Sequence, residues 1–210
     1  KFLASSEKVP IDDLDWDAAR RAGLSDDELF TLTYFTTIET QTVFYQQEIL
    51  KTRAAEDPDT LAFLAMWNYE EYFHAYAITH ALERCGVEVP PASLRASEVR
   101  SGARFKAKFE DFAQGMIARV APKPFIALWM FWGSLQECLT TQAYEELATN
   151  TKNPVLAELC RRIAKQERRH FAYYFGQAKK KLENQPKTQQ FVRLIANQFY
   201  APVGGGVKTD

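Results

Sequence analysis

The sequence predicts an all-α protein, a four-helix bundle with a long crossover that contains an extra helix. Three observations carry that expectation. Long segments with helical spacing of apolar residues are separated by Pro, Gly and Asx start and stop signals. Period-two alternation is absent, and the 9 glycines are too few to punctuate many short strands. Two of the long segments also carry a glutamate among uncharged neighbours, and two carry Glu-x-x-His, at similar spacing in both halves.

The elements follow in order. Ser25-Asp26-Asp27-Glu28 reads as an N-cap with an acidic first turn, and a helix should run from there to near Lys51 or Arg53. Asp57-Pro58-Asp59 restarts the chain into a second helix, stopped after Cys85 by Gly86. Val89-Pro90-Pro91 is a linker, and Ser101 to Val120 reads as a third, amphipathic helix. Ala121-Pro122-Lys123-Pro124 breaks it. A fourth helix is expected from Pro124 to near Ala148, a fifth from Asn153-Pro154 to near Leu182, and a short one from Thr188 to Tyr200. Residues 201–210, with Gly204-Gly205-Gly206, are expected to form a flexible tail on one domain that spans 1–210.

Bulk properties exclude several roles. With 210 residues and 46% hydrophobic composition, the chain can bury one full core. Its 26 basic and 27 acidic residues balance to a net charge of −1, so neither nucleic acid nor an anionic membrane is the expected partner. No apolar run approaches the roughly 20 residues of a membrane span, and Lys1 to Pro10 lack a signal-peptide pattern. Cys85, Cys138 and Cys160 are odd in number and form no CxxC pair, so they read as reduced core thiols of a cytoplasmic protein.

Six residues carry the chemistry. The second helix contains Glu71-x-x-His74 and the fifth contains Glu167-x-x-His170. A step of three residues rotates about 300° around a helix, so each carboxylate and imidazole point to one side, one turn apart. Glu39 on the first helix and Glu137 on the fourth sit among uncharged neighbours and should face inward. A buried carboxylate is costly unless a cation pairs with it. The order Glu…Glu-x-x-His…Glu…Glu-x-x-His, with similar spacing in both halves, is that of di-iron and di-manganese carboxylate bundles. Four carboxylates would neutralise two divalent ions. Glu39 and Glu71–His74 are expected near one ion, Glu137 and Glu167–His170 near the other. Glu70 is assigned to the surroundings of the ligands or to the surface, and His80 to an outer or interface position.

On these residues the sequence resembles the ferritin-like di-iron carboxylate superfamily over about Leu29 to Leu182. Within it, the chain looks most like bacterial acyl-acyl-carrier-protein desaturase-like proteins. That likeness rests on Trp67-x-x-Glu70-Glu71-x-x-His74, on Glu167-Arg168-Arg169-His170, and on Thr140 three residues after Glu137. The resemblance implies two iron ions, with manganese at one or both positions as the other option. It also implies activation of O₂, and a role for Thr140 in that step, although Thr141 is a second candidate and a Thr bonded to its own helix is an equal reading.

The implied function is a desaturase or oxygenase acting on an acyl-type or other apolar substrate, free or bound to a carrier protein. Its electrons would come from an external reductase or ferredoxin, because no flavin or nicotinamide fingerprint is present. The alternative is an iron oxidase or peroxide scavenger of the ferritin or rubrerythrin type. A homodimer is an admissible assembly. Phe35, Phe44, Trp67, Phe73, Trp129, Phe131, Trp132, Tyr144, Phe171 and Tyr174 offer either an apolar pocket or an ordinary core. Gly133 and Ser134 leave either substrate space beside Glu137 or room for close helix packing. Arg100, Arg104, Lys106, Lys108 and Lys179-Lys180-Lys181 read either as solvated faces or as a docking surface for an acidic carrier or ferredoxin.

Overall fold

A computed structural model of the chain describes residues 5–50, 52, 56–90 and 121–200. The expected helix over Ser101–Val120, its basic residues and the tail lie outside them, as does the side chain of Phe44. Among the described residues there are six helices and no strand: α1 (Trp16–Ala22), α2 (Asp26–Leu50), α3 (Pro58–Arg84), α4 (Pro122–Asn150), α5 (Pro154–Leu182) and α6 (Pro186–Phe199). The chain is thus an all-α helical bundle. No described helix is long and apolar enough to cross a membrane.

Local chemistry sets the helix ends. Ser25 and Glu28 form a capping box: the Ser25 N–H donates to Glu28 Oε2 at 2.7 Å, and the Glu28 N–H donates to Ser25 Oγ at 3.3 Å. Gly86, at φ 86°, closes α3: its N–H donates to the Glu83 carbonyl, and the Val87 N–H donates to the Leu82 carbonyl. That pattern needs a left-handed residue, which glycine supplies without steric cost. Asn153 caps α5 by accepting from the Val155 and Leu156 N–H groups. Its amide donates to the carbonyls of Ala19 and Gly23, tying α1 to the start of α5.

Helices α4 and α6 each start two residues before the expected position, and one helix is added. Helix α4 begins at Pro122, because prolines in a first turn occupy positions whose N–H groups have no helical partner. Helix α1 is absent from the sequence reading, because seven residues carry too short an apolar pattern; Asp15 caps it through the Ala18 N–H.

Two apolar clusters set the direction of each long helix. One contains Leu32, Ile78, Leu82, Tyr144, Leu159 and Ile163; the other contains Ile49, Phe63, Trp67, Met130 and Tyr174. Helices α2 and α5 run from the first cluster to the second, and α3 and α4 run from the second to the first. Consecutive long helices are therefore antiparallel except α3 and α4, which run parallel. Burying each large side chain contributes about 1.5–3 kcal/mol. Helix α6 covers the outside of α4 through Val192, Phe191 and Ile195 against Ala127, Leu128 and Phe131. In every long helix the gap between the two clusters is filled by the glutamates and histidines singled out above.

Candidate metal centre

Glu39, Glu71, His74, Glu137, Glu167 and His170 are all buried. Two sets of four close on each other: Glu39, Glu71, His74 and Glu167, and Glu71, Glu137, Glu167 and His170, each with ligand atoms within 4.8 Å of one another. Glu71 and Glu167 belong to both sets. Their individual oxygens show how. Glu71 Oε1 lies 3.0 Å from His170 Nδ1, while its Oε2 lies 3.5 Å from His74 Nδ1. Glu167 Oε2 lies 3.0 Å from His170 Nδ1, while its Oε1 lies 3.0 Å from His74 Nδ1. Each shared carboxylate therefore turns one oxygen to each histidine. Glu39 with Glu71–His74, and Glu137 with Glu167–His170, thus fall in separate sets, and each set also takes in the other motif's glutamate because α3 and α5 face each other across the site.

The outer partners come in matched positions. Tyr144 donates to Glu39 Oε1 at 2.5 Å, and Trp67 Nε1 donates to Glu137 Oε1 at 3.0 Å. Gln166 Oε1 takes His74 Nε2 at 2.7 Å, and Glu70 Oε2 takes His170 Nε2 at 2.7 Å. Both histidines thus point Nε2 outward and Nδ1 into the cluster. Glu70 is fully buried and also pairs with Arg169 at 2.7 Å. Of its two expected placements, the structure realises the one beside the ligands. Sequence reading missed Gln166; the available signal was a long polar residue just before each motif glutamate.

Electrostatics argue that this cluster is built for cations. Two like charges about 4 Å apart repel by about 4 kcal/mol at an effective dielectric constant near 20. Four buried carboxylates therefore cannot all ionise unaided. Burial, then the charge of Glu71, hold the Glu39 carboxyl well above the usual range, and burial, then Glu167, do the same to Glu137. Burial alone would lower both histidines, but Glu167 and Glu71 beside His74, and Glu137, Glu167, Glu70 and Glu71 beside His170, push them well above the usual imidazole range. Protons thus take up the role of positive charge. The fit is also visible in individual atoms. His74 Nδ1 and Glu167 Oε1, although 3.0 Å apart, are buried and make no hydrogen bond, whereas a buried polar atom nearly always has a partner. Both face the centre of the cluster, where cations would satisfy them.

The remaining candidates fall outside this set. The Thr141 hydroxyl donates to the Glu137 carbonyl at 2.7 Å, while Thr140 is half-buried one turn from Glu137. His80 packs edge-on against Trp16 and accepts from Arg84 Nε, away from the ligands. A Cβ on Gly133 would stand 2.6 Å from the Tyr174 ring, so its smallness serves packing of α4 on α5. Trp67, Phe63, Trp129 and Tyr174 form one aromatic group beside Glu137, which is core. The cysteines are free, but only Cys160 is buried; burial pushes its thiol up to about 12. Cys85 and Cys138 are only partly covered, so the core-thiol expectation holds for Cys160 alone.

The fold and the site define a class: an all-α bundle whose buried carboxylate–histidine cluster has the make-up of a divalent-metal site. Residues 18–202 match the family model described as fatty acid desaturase, and the chain belongs to that family. It is accordingly an oxidoreductase of a family acting on fatty acyl substrates. No curated protein and no solved structure matches it. The match corrects the resemblance to ferritin-like acyl-acyl-carrier-protein desaturase-like proteins, because the matched family is described by the fatty acid and not by a carrier. The physical reason is that Glu-x-x-His spacing reports how a metal is held and carries nothing about the group that presents the substrate.

Proposed function

We propose that the six residues hold two iron ions and that the protein desaturates a fatty acyl chain with O₂. The observation that carries this reading is the pair of overlapping ligand sets, in which Glu71 and Glu167 each offer one oxygen to either side. Desaturation removes two hydrogens from adjacent carbons; with O₂, two external electrons and two protons, it yields the double bond and two waters. Bound iron would supply O₂ activation and the one-electron chemistry that breaks a C–H bond. Manganese at either position is the competing occupancy.

The chain's own residues set the conditions for that chemistry. Glu39 and Glu137 would each hold one of the two ions, and each is fixed by an aromatic donor, Tyr144 or Trp67. Dry walls around the cluster exclude water from a reactive oxidant. Thr140, one turn along α4 from Glu137, is assigned to moving protons on that side, and the Thr141 hydroxyl is committed to the Glu137 carbonyl. Electrons come from outside the chain, from a reductase or ferredoxin.

The test is turnover by iron-loaded protein with a chemical reductant, O₂ and a panel of fatty acyl thioesters, with products read by mass spectrometry. An alkene product is expected. A hydroxylated product would make the protein an oxygenase. Consumption of O₂ or peroxide with every acyl chain left unchanged would overturn the reading.

A further inference from the structure

The backbone of one residue reaches both halves of the site. Residues 5–11 lie across the face shared by α3 and α5. Val9 and Ile11 are buried in the cluster with Ile78, Leu82, Leu159 and Ile163. Arg162 donates to the Pro10 carbonyl at 2.9 Å and grips Asp13 through two bonds, of 2.6 and 2.8 Å. Arg169 donates to the Ser5 carbonyl. Between these anchors the Glu7 N–H donates to Glu70 Oε1 at 3.0 Å, and the Glu7 carbonyl accepts from Gln166 Nε2 at 3.0 Å. The Glu7 side chain itself is exposed.

Those two bonds have directional consequences. A primary amide donates from its nitrogen and accepts at its oxygen. With Nε2 committed to the Glu7 carbonyl, Gln166 must present its oxygen to His74. An acceptor there requires a neutral His74 to carry its proton on Nε2, which leaves the Nδ1 lone pair facing Glu71 and Glu167. If the amide turned over, its nitrogen would face His74 and favour the opposite tautomer, with a proton where a cation must bind. On the other side, the Glu7 N–H shares Glu70 with Arg169 and so fixes the carboxylate that takes His170 Nε2.

We propose that the Glu7 backbone is a positioning element of the metal centre, selecting the His74 tautomer through its carbonyl and Gln166 and the His170 ring orientation through its N–H and Glu70. The inference rests on the metal reading of the cluster given above. Outer partners of ligating histidines change metal affinity by about 10–100-fold.

Full-length parent, Glu7→Ala, Glu7→Pro and Gln166→Leu are compared by chelator competition for zinc(II), a redox-silent probe. Nitrogen-15 histidine spectra of the zinc-loaded proteins read which ring nitrogen carries the proton. Glu7→Ala keeps both peptide atoms and should bind two ions as the parent does. Glu7→Pro lacks the N–H and should lose about 10–100-fold in affinity. Gln166→Leu should weaken one ion of the two and shift only the His74 signals. Thermal unfolding of the chelator-treated variants checks folding; if Glu7→Pro does not fold, Gln166→Leu decides. Folded Glu7→Pro or Gln166→Leu that holds two ions with parental affinity and parental histidine spectra overturns the inference. A parent that takes up neither zinc nor ferrous iron would instead defeat the metal reading.

Discussion

The His74 half and the His170 half of the proposed centre are built from the same side-chain types but held by unlike surroundings. His74 leans on the neutral amide of Gln166, and Glu39 beside it on the Tyr144 hydroxyl. His170 leans on the Glu70 carboxylate, itself paired with Arg169, and Glu137 beside it on the Trp67 indole. Symmetry of the inner residues and symmetry of their environment are thus separate properties. The first follows from a repeated motif, whereas the second is set by what each helix happens to pack against. A carboxylate accepting from an imidazole makes a stronger, charge-assisted bond than an amide, so the two positions should hold cations unequally.

The largest expected effect erases the difference between the halves. Glu71→Ala or Glu167→Ala removes a carboxylate common to both and should strip both metals and abolish turnover. Glu39→Ala or Glu137→Ala should weaken one position more than the other. Metal analysis after dialysis checks this; loss of one ion from Glu71→Ala would show that the carboxylate is not shared.

A smaller effect tests where the asymmetry arises. Glu70→Gln gives His170 the same kind of partner as His74. It should lower affinity at the His170 position by about 10-fold and bring the two binding steps together. A metal titration that keeps two unequal steps in Glu70→Gln would locate the asymmetry elsewhere.

A third effect concerns protons. The folded values of Glu39, Glu137, His74 and His170 all lie above their ordinary ones. Each therefore stabilises the metal-free bundle at pH below its unfolded value, and that contribution is lost as pH rises through the folded value. Glu71 and Glu167 are lowered: burial would raise both, but the neighbouring Glu39 carboxyl and the two histidines outweigh it for Glu71, and the two histidines outweigh burial and the Glu71 charge for Glu167. Their contribution runs the other way and is lost only as pH falls through their lowered values. Chelator-treated protein should thus lose stability as pH rises from the ordinary imidazole value of 6.5 into the alkaline range, and the stabilisation gained from metal should grow over the same range. Melting curves with and without metal at both ends of the range check the sign.

The smallest effect lies beside the His170 half. Gly133→Ala places a Cβ against the Tyr174 ring and should cost about 1–3 kcal/mol through overpacking. Both metals should remain bound. Denaturant unfolding measures the cost, and an unchanged midpoint would mean that the ring moves aside freely.

Particular residues show how much the order of amino acids makes legible. Glu71-x-x-His74 and Glu167-x-x-His170 declare themselves because a three-residue step on a helix fixes two side chains on one face whatever surrounds them. Glu39 and Glu137 declare themselves because a carboxylate in an uncharged stretch has few other reasons to be there. The Ser25–Glu28 box and Gly86 mark two helix ends through contacts within a few residues. The all-α class, most of the long helices and the membership of the buried acid–histidine set are therefore written in the chain itself. Packing in three dimensions added the rest: Glu71 and Glu167 face both histidines, Glu70 and Gln166 cross over to each other's helix, the Glu7 backbone joins them, and Gly133 admits Tyr174. Those facts depend on how each helix is rotated and which neighbour it meets. Helical periodicity fixes which residues share a face, but only packing fixes what that face touches.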